Sequence, residues 1–382
     1  YLYPYSDSYI PSLQVWFEPI QSYEPPSSLS TITTSNPISV NVGSPGSTIF
    51  TASAVDENGR AYIAISPPGG ASNGTYIRLA YGDPSSNNWS STNISGINVA
   101  KGYSPSVTSA AVYQNKIYIA YNNGGKGGTS GGNELWIASA DLDSDFTQSS
   151  SWTNYNPNQI QGQGALVNEG NRLALYYTAY NRTYNPSGSD LSLYSIYSAD
   201  PSSDANAWEG TGKALTDTNG NTLTASALAA TRFQGKTVLA FYPGSYSNSS
   251  YTLTTAQPVS SEMGAKLDTS QTSLGINLGA GAVSAPVLGL TANSTQIFLN
   301  NQDPPFGGTS SYIATGGAFD QWSSEISAGS NISATYFASN SQLYQAAVNG
   351  TLNISQAGLT PSAASQVSLA GYSIDGNVDI NA

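Results

Sequence analysis

The sequence predicts an all-β protein, a six-bladed β-propeller of four-stranded blades preceded by an extended N-terminal arm. Three observations carry this. A unit of short apolar strands recurs six times, with second strands beginning near positions 61, 117, 173, 237, 295 and 342. The intervals, roughly 45 to 65 residues, sit at or slightly above the period of a four-stranded blade. The first and second strands of each unit are near-continuous apolar runs, the pattern of strands covered on both faces. One four-stranded sheet cannot hide both faces; sheets packed radially against like neighbours can, and the ring leaves only short edges. A row of β-sandwich domains is the structural alternative, but strands packed on one face alternate more cleanly.

Taken in order, residues 1–47 form the arm and do not match the repeat. They are aromatic and Pro-punctuated (Tyr1, Tyr3, Pro4, Tyr5), with a short strand candidate at 13–17 and a breaker at 24–28. Three roles stay open for the arm: an outer strand that closes the ring on the last blade, a docking segment for a neighbouring subunit, or a mobile tail. The propeller then occupies 48–382. Its first unit has strands at 50–55, 61–65 and 76–81, then Trp89; the second at 106–113, 117–121 and 134–140, then Trp152. The third has 164–167, 173–177 and 191–197, then Trp208; the fourth 224–233, 237–242 and 251–256. The fifth has 285–291, 295–300 and 311–315, then Trp322; the sixth 333–338, 342–348 and 351–355. Val, Ile, Tyr and Trp fit a pleated buried surface, and Asn, Gly and Ser interrupt it. Tyr62 and Tyr118, in second strands, are expected to be packing residues.

Two kinds of link alternate. First-to-second-strand links are short, as in Asn58-Gly59-Arg60, Gln114-Asn115-Lys116, Gly170-Asn171-Arg172 and Gln234-Gly235-Lys236, where Asn and Gly supply the positive φ of tight hairpins. Second-to-third-strand links are long: 66–75, 122–133, 181–190, 243–250 and 301–310. In a propeller the two sets lie on opposite faces, so function is expected on the long-loop face. The run Gly124-Gly125-Lys126-Gly127-Gly128 lacks a phosphate loop's ending and joins strands rather than opening a helix.

Composition excludes much. Eleven Lys and Arg stand against 23 Asp and Glu, a formal charge of −12, so no basic footprint for nucleic acid is expected. The chain has no His and no Cys, which removes imidazole and thiol catalysis, disulfides and Cys/His zinc sites. No segment reaches the roughly 18 apolar residues of a transmembrane helix. With 9% charged residues, solubility rests on Ser, Thr, Asn and Gly, which suits a secreted or cell-surface protein. A start at Tyr1 suits a processed form, though a boundary inside a longer chain would look the same. Nine N-x-[S/T] sequons mark candidate glycosylation sites at Asn73, Asn88, Asn93, Asn181, Asn248, Asn293, Asn331, Asn349 and Asn353. Chance gives about that many in so Ser- and Thr-rich a chain, but several fall in predicted loops, where an acceptor belongs.

Asp141, Asp143 and Asp145 form the one acidic cluster. Alternate loop carboxylates suit Ca²⁺, yet Phe146 and Trp152 stand where an EF-hand needs Gly and Glu, so a solvated turn is the competing reading. No other cofactor is expected. A hydrolase needs paired carboxylates in one pocket, and here acidic residues are scattered. A sialidase needs clustered arginines, and Arg60, Arg78, Arg172, Arg182 and Arg232 mostly sit at links. The expectation is a protein that is not an enzyme. What the chain has in surplus is Tyr, Trp, Asn, Ser and Gly, suited to stacking on a sugar ring and bonding its edges.

The stretches SPSVTSAAVYQNKIYIAYNN (104–123) and NELWIASAD (133–141) resemble a blade of the fungal fucose-specific lectin family and related bacterial lectin propellers. The rhythm covers roughly residues 48–355. The resemblance implies a propeller fold, and inter-blade sugar pockets holding an Arg, a Glu and an aromatic residue. Arg78, Glu134 and Trp136 are the positions similar to that set. Two functional expectations result. One is a secreted propeller binding glycans or a cell-surface protein through its long-loop face. The other is a structural subunit of an extracellular filament or sheath, self-assembling through residues 1–28.

Overall fold

A computed structural model describes residues 29–41, 51–66, 76–83, 88–94, 96–99, 105–123, 134–157, 162–180, 191–201, 208, 212–243, 252–269, 273–277, 287–293, 296–303, 308–315, 326–327, 332–337, 343–349 and 351–361. Strand β1 (Leu29–Asn41) comes first. A sheet of β2 (Thr51–Val55), β3 (Ala61–Ile65), β4 (Ile77–Gly82) and β5 (Trp89–Ile94) follows. The second sheet holds β6 (Ser106–Tyr113), β7 (Lys116–Asn122), β8 (Leu135–Asp141) and β9 (Thr153–Tyr155). The third holds β10 (Gly164–Asn168), β11 (Leu173–Tyr180), β12 (Leu191–Ser198) and β13 (Lys213–Ala214). The fourth holds β14 (Ala225–Phe233), β15 (Lys236–Pro243), β16 (Thr252–Pro258) and β17 (Leu267–Asp268), with β18 (Ser273–Asn277) also paired to β16.

The remaining strands are β19 (Val287–Ala292), β20 (Gln296–Asp303), β21 (Gly308–Thr315), β22 (Ile326–Ser327), β23 (Ile332–Phe337), β24 (Leu343–Asn349) and β25 (Thr351–Pro361). They run together with β1 in one eight-stranded sheet, ordered β19-β20-β21-β22-β1-β25-β24-β23. The fold is thus an all-β propeller with four-stranded blades. The sequence predicts six blades, whereas four stand as separate sheets. The reason is β1: it pairs antiparallel with β25 (Ile32 opposite Leu359, Val40 opposite Leu352) and parallel with β22 (Thr31 opposite Ser327). That double pairing fuses what the periodicity separates. It also places residues 29–41 of the arm at the edge of β25; residues 1–28 lie outside the described residues.

The hairpin chemistry follows the short links. Gln114 and Asn115 (φ 47° and 58°) and Gln234 and Gly235 (47° and 78°) make two-residue turns with both central residues left-handed, the type I′ form that matches strand twist. Second strands are buried end to end: all of Ala61–Ile65 and of Ile117–Tyr121 lie inside. The outermost strand β5 is mostly exposed or half-buried. The second, third and fourth sheets therefore pack both faces on their neighbours, and the described core lies between sheets. Ile77 and Leu79 of the first share a cluster with Ile117 and Ile119 of the second; Ala174 and Tyr176 of the third share one with Leu239 and Phe241 of the fourth. Tyr62 and Tyr118 are packing residues, 1% and 0% exposed.

Innermost strands neighbour one another in succession: β2 on β6, β6 on β10, β10 on β14, β14 on β19, β19 on β23, and β23 back on β2. Equivalent stretches of five of them, at 53–55, 110–112, 166–168, 230–232 and 290–292, line an axial cavity of about 260 Å³. Each stretch leads into a short link, so this cavity opens on the short-link face.

Candidate functional site

The link between β10 and β11 builds a charged site. Gly170 (φ 92°) donates its N–H to Asn168 Oδ1 at 2.8 Å, and the Glu169 N–H reaches the Arg172 carbonyl at 3.0 Å. This tight loop brings the two side chains together. Glu169 Oε2 accepts from Arg172 Nε at 2.8 Å, and Oε1 accepts from Tyr176 Oη at 3.0 Å and Thr237 Oγ1 at 2.7 Å. The Arg172 guanidinium carbon lies 3.6 Å from the Tyr197 ring centre, and the group also donates to the Ser261 carbonyl. Both charged side chains are mostly buried, 14% and 18% exposed. Burial, with Tyr197 and Glu169 adding to it, holds the Tyr176 hydroxyl proton well above the ordinary tyrosine range; burial also raises Tyr197. These groups stay neutral phenols and keep donating.

Above this floor a cleft of about 450 Å³ lies at the junction of the β10–β13 and β14–β17 sheets. Glu169, Arg172, Lys236, Thr237, Pro258 and Val259 are among its lining residues. It opens among the short links and the segment after β16. The long loops, expected to carry function, lie largely outside the described residues.

A counterpart occupies the first sheet. Asp56 directly follows β2 as Glu169 follows β10; Arg60 directly precedes β3 as Arg172 precedes β11. Tyr81 and Tyr197 each face the second residue of the second strand, Tyr62 and Ala174. Arg60 stacks 4.8 Å from the Tyr81 ring, and Asp56 accepts the Tyr62 hydroxyl at 3.0 Å. Here the space is filled. Phe146, from the loop between β8 and β9, sits 5.0 Å from Tyr81, 6.2 Å from Tyr62 and 5.6 Å from Trp152.

The residues expected to bind sugar fall into two groups. Glu134 Oε2 accepts from Trp136 Nε1 at 3.0 Å and Asn123 Nδ2 at 3.2 Å, so Glu134 and Trp136 form one unit. Trp136 packs on the cluster that contains Ile77 and Leu79. Arg78 stands between those two on β4 and so points to the opposite face, its guanidinium 5.9 Å from the Tyr76 ring. Arg78 and the Glu134–Trp136 unit therefore do not meet. The three aspartates do not converge either: Asp141 pairs with Lys116 at 2.6 Å, Asp143 accepts from Asn115 at 3.0 Å, and Asp145 accepts from Thr147. Among the described residues no three such groups gather as metal ligands.

Of the sequons, Asn88 and Asn93 are exposed at β5. Asn293 is half-buried in the β19–β20 link, its Oδ1 accepting the Gln296 N–H at 2.7 Å. Asn349 and Asn353 lie in β24 and β25, while Asn73, Asn181, Asn248 and Asn331 lie outside the described residues.

No protein-family model matches this sequence, and no curated protein matches it either. Solved structures do. A protein of unknown function from Dyadobacter fermentans superposes with a TM-score of 0.55 at 9% identity, covering 85% of this chain and 98% of its own. An α-L-arabinofuranosidase from Fusarium graminearum, in complex with an iminosugar inhibitor, gives 0.52 at 11% identity over 85% of this chain and 97% of its own. Trypanosoma rangeli sialidase in complex with sialic acid gives 0.51 at 12% identity; the match covers 86% of this chain and 60% of the sialidase. At such identities the likeness establishes the propeller fold and no more. It does correct one expectation: two of these propellers are enzymes by name, so this fold gives no ground for excluding catalysis.

Proposed function

We propose that this chain is a six-bladed, carbohydrate-binding propeller whose sugar site is the cleft at the junction of the β10–β13 and β14–β17 sheets. The count of six is supported by the unbroken circuit of innermost strands, β2 through β23 and back to β2. It reads the eight-stranded sheet as β19–β22 and β23–β25 with β1 as the outer strand of the last blade. The observation that carries the function is the cleft itself. Its volume, about 450 Å³, falls in the range of small-molecule sites, roughly 300–1,000 Å³. Its floor is a carboxylate, a guanidinium and a phenol locked to one another, as a site that orients hydroxyl groups requires. Glu, Arg and an aromatic residue are also what the lectin resemblance asks of an inter-blade pocket. They stand here at Glu169, Arg172 and Tyr176 rather than at Arg78, Glu134 and Trp136. The extracellular setting expected from composition belongs to the same proposal.

Saturation-transfer NMR of the whole protein against a panel of mono- and oligosaccharides tests this. Binding is expected for at least one sugar, with Thr237→Val weakening it because the hydroxyl leaves the cleft wall. A folded protein that binds no member of the panel overturns the proposal. Following the same mixtures for release of reducing ends reports whether the bound sugar is cleaved.

A further inference from the structure

We infer that the sugar taken by this cleft carries a carboxylate, an inference that rests on the carbohydrate-binding reading above. The ground is the distribution of charge. The chain carries −12 overall and only 11 basic residues, yet Arg172, Arg232 and Lys236 gather about one pair of short links. Arg172 is neutralised by Glu169. The Lys236 side chain is exposed at the cleft and makes no hydrogen bond or ion pair with any described residue. Arg232 pairs across the same hairpin with Thr237, borders the axial cavity, and rests its guanidinium against Gly170; it too has no described acidic partner. The acidic groups facing this region are Glu169, already holding Arg172, Tyr176 and Thr237, together with Asp268 on the far wall and the exposed Glu262.

The lining charges of the cleft balance, Glu169 and Asp268 against Arg172 and Lys236, and Arg232 stands beside it. In a protein of net charge −12 this is a place where an anion is not repelled and the exposed Lys236 ammonium can meet it. The rest of the lining selects the kind of anion. Asn171, Thr237 and Gln257 offer uncharged hydrogen-bonding groups for ring hydroxyls. Pro258 and Val259, the latter 57% exposed, offer an apolar wall for the C–H face of a pyranose. One exposed lysine matches a singly charged carboxylate, whereas a doubly charged phosphate leaves one of its charges unmatched. Uronic acids and N-acylneuraminic acids share this chemistry.

The test is isothermal titration of the full chain with oligogalacturonate, with a glucuronate-containing oligosaccharide, with sialyllactose and with the neutral parent sugar of each. The expected result is binding of a carboxylated member in preference to its neutral parent, weakening as salt rises. Lys236→Gln should cost about fivefold in affinity for that member, and Lys236→Arg should restore it. Lys236 is the exposed first residue of β15, so an unchanged denaturation midpoint certifies each variant as folded. Which arm binds tells uronate from neuraminate. Equal affinity for the neutral parents, or no effect of Lys236→Gln, overturns the carboxylate inference while leaving sugar binding intact. Failure of every saccharide overturns both.

Discussion

At the scale of single residues, the ion pair of Glu169 and Arg172 is the arrangement with most at stake. Each oxygen of Glu169 is satisfied, and Arg172 is held by a carboxylate, a carbonyl and an aromatic face. A mostly buried pair of this kind contributes little net stability while whole, but removing one partner leaves an uncompensated charge. Glu169→Gln is therefore expected to lower unfolding free energy by about 3 kcal/mol, read from the urea midpoint. A change within error would show that Arg172 finds equivalent partners without the carboxylate. This site was only half legible in sequence. Glu169 and Arg172 lie in a link whose residues read as turn formers, and nothing local says that the loop folds their side chains together. The signal that was present is a recurrence: an acid directly after the first strand and an arginine directly before the second, at Asp56 and Arg60 and again at Glu169 and Arg172. Arg78 illustrates the opposite error. Its residue type suited a sugar pocket, but its parity between Ile77 and Leu79 sends it to the other face of β4.

At the scale of elements, the segment after each third strand decides whether the space beside the preceding sheet is open. In the first junction Phe146, Trp152 and Leu142 fill it. In the second, Tyr113 donates to the Ala199 carbonyl at 3.0 Å and Tyr155 to the Pro201 carbonyl at 2.6 Å, closing the gap with hydrogen bonds. In the third, the segment after β16 contributes Ser261 to Arg172 yet leaves the cleft. Phe146 is thus a plug where the third junction has a cleft. Phe146→Ala should cost about 3 to 5 kcal/mol, since the ring is 2% exposed and wedged between Tyr62, Tyr81 and Trp152. A denaturant midpoint lowered by less than about 1 kcal/mol would mean that the loop collapses to refill the space and is no plug. Each of the loop's aspartates has its own protein partner.

At the scale of the whole molecule, strand content and the repeat were readable because both-face burial writes continuous apolar runs into second strands. That the arm closes the ring on the last blade was one of three readings open in sequence, and residues 29–41 bear it out. Which of the three holds was not legible, because β1 and β25 are more than three hundred residues apart and their pairing leaves no local pattern. Composition does set one global property. With no His and no Cys, few side chains titrate through the middle of the pH scale. Stability should then be flat from roughly pH 5 to pH 9. Above that range the buried tyrosines act. Desolvation raises Tyr62, Tyr118, Tyr121, Tyr176, Tyr177 and Tyr197 above the ordinary value of 10.0, so each is a neutral phenol in the fold and ionises more readily when unfolded. A raised pKa of this sign leaves stability whole below about pH 10 and removes it as pH climbs further. At the acid end Asp145 and Asp217, held below the ordinary carboxylate value by hydrogen bonds from Thr147 and Asn221, act in the opposite direction, losing their contribution as pH falls. The measurement is the urea midpoint at unit steps from pH 3 to pH 11. A plateau with a steep alkaline fall is expected. A midpoint that drops between pH 6 and pH 9 would place a titrating group in the core that this reading does not contain.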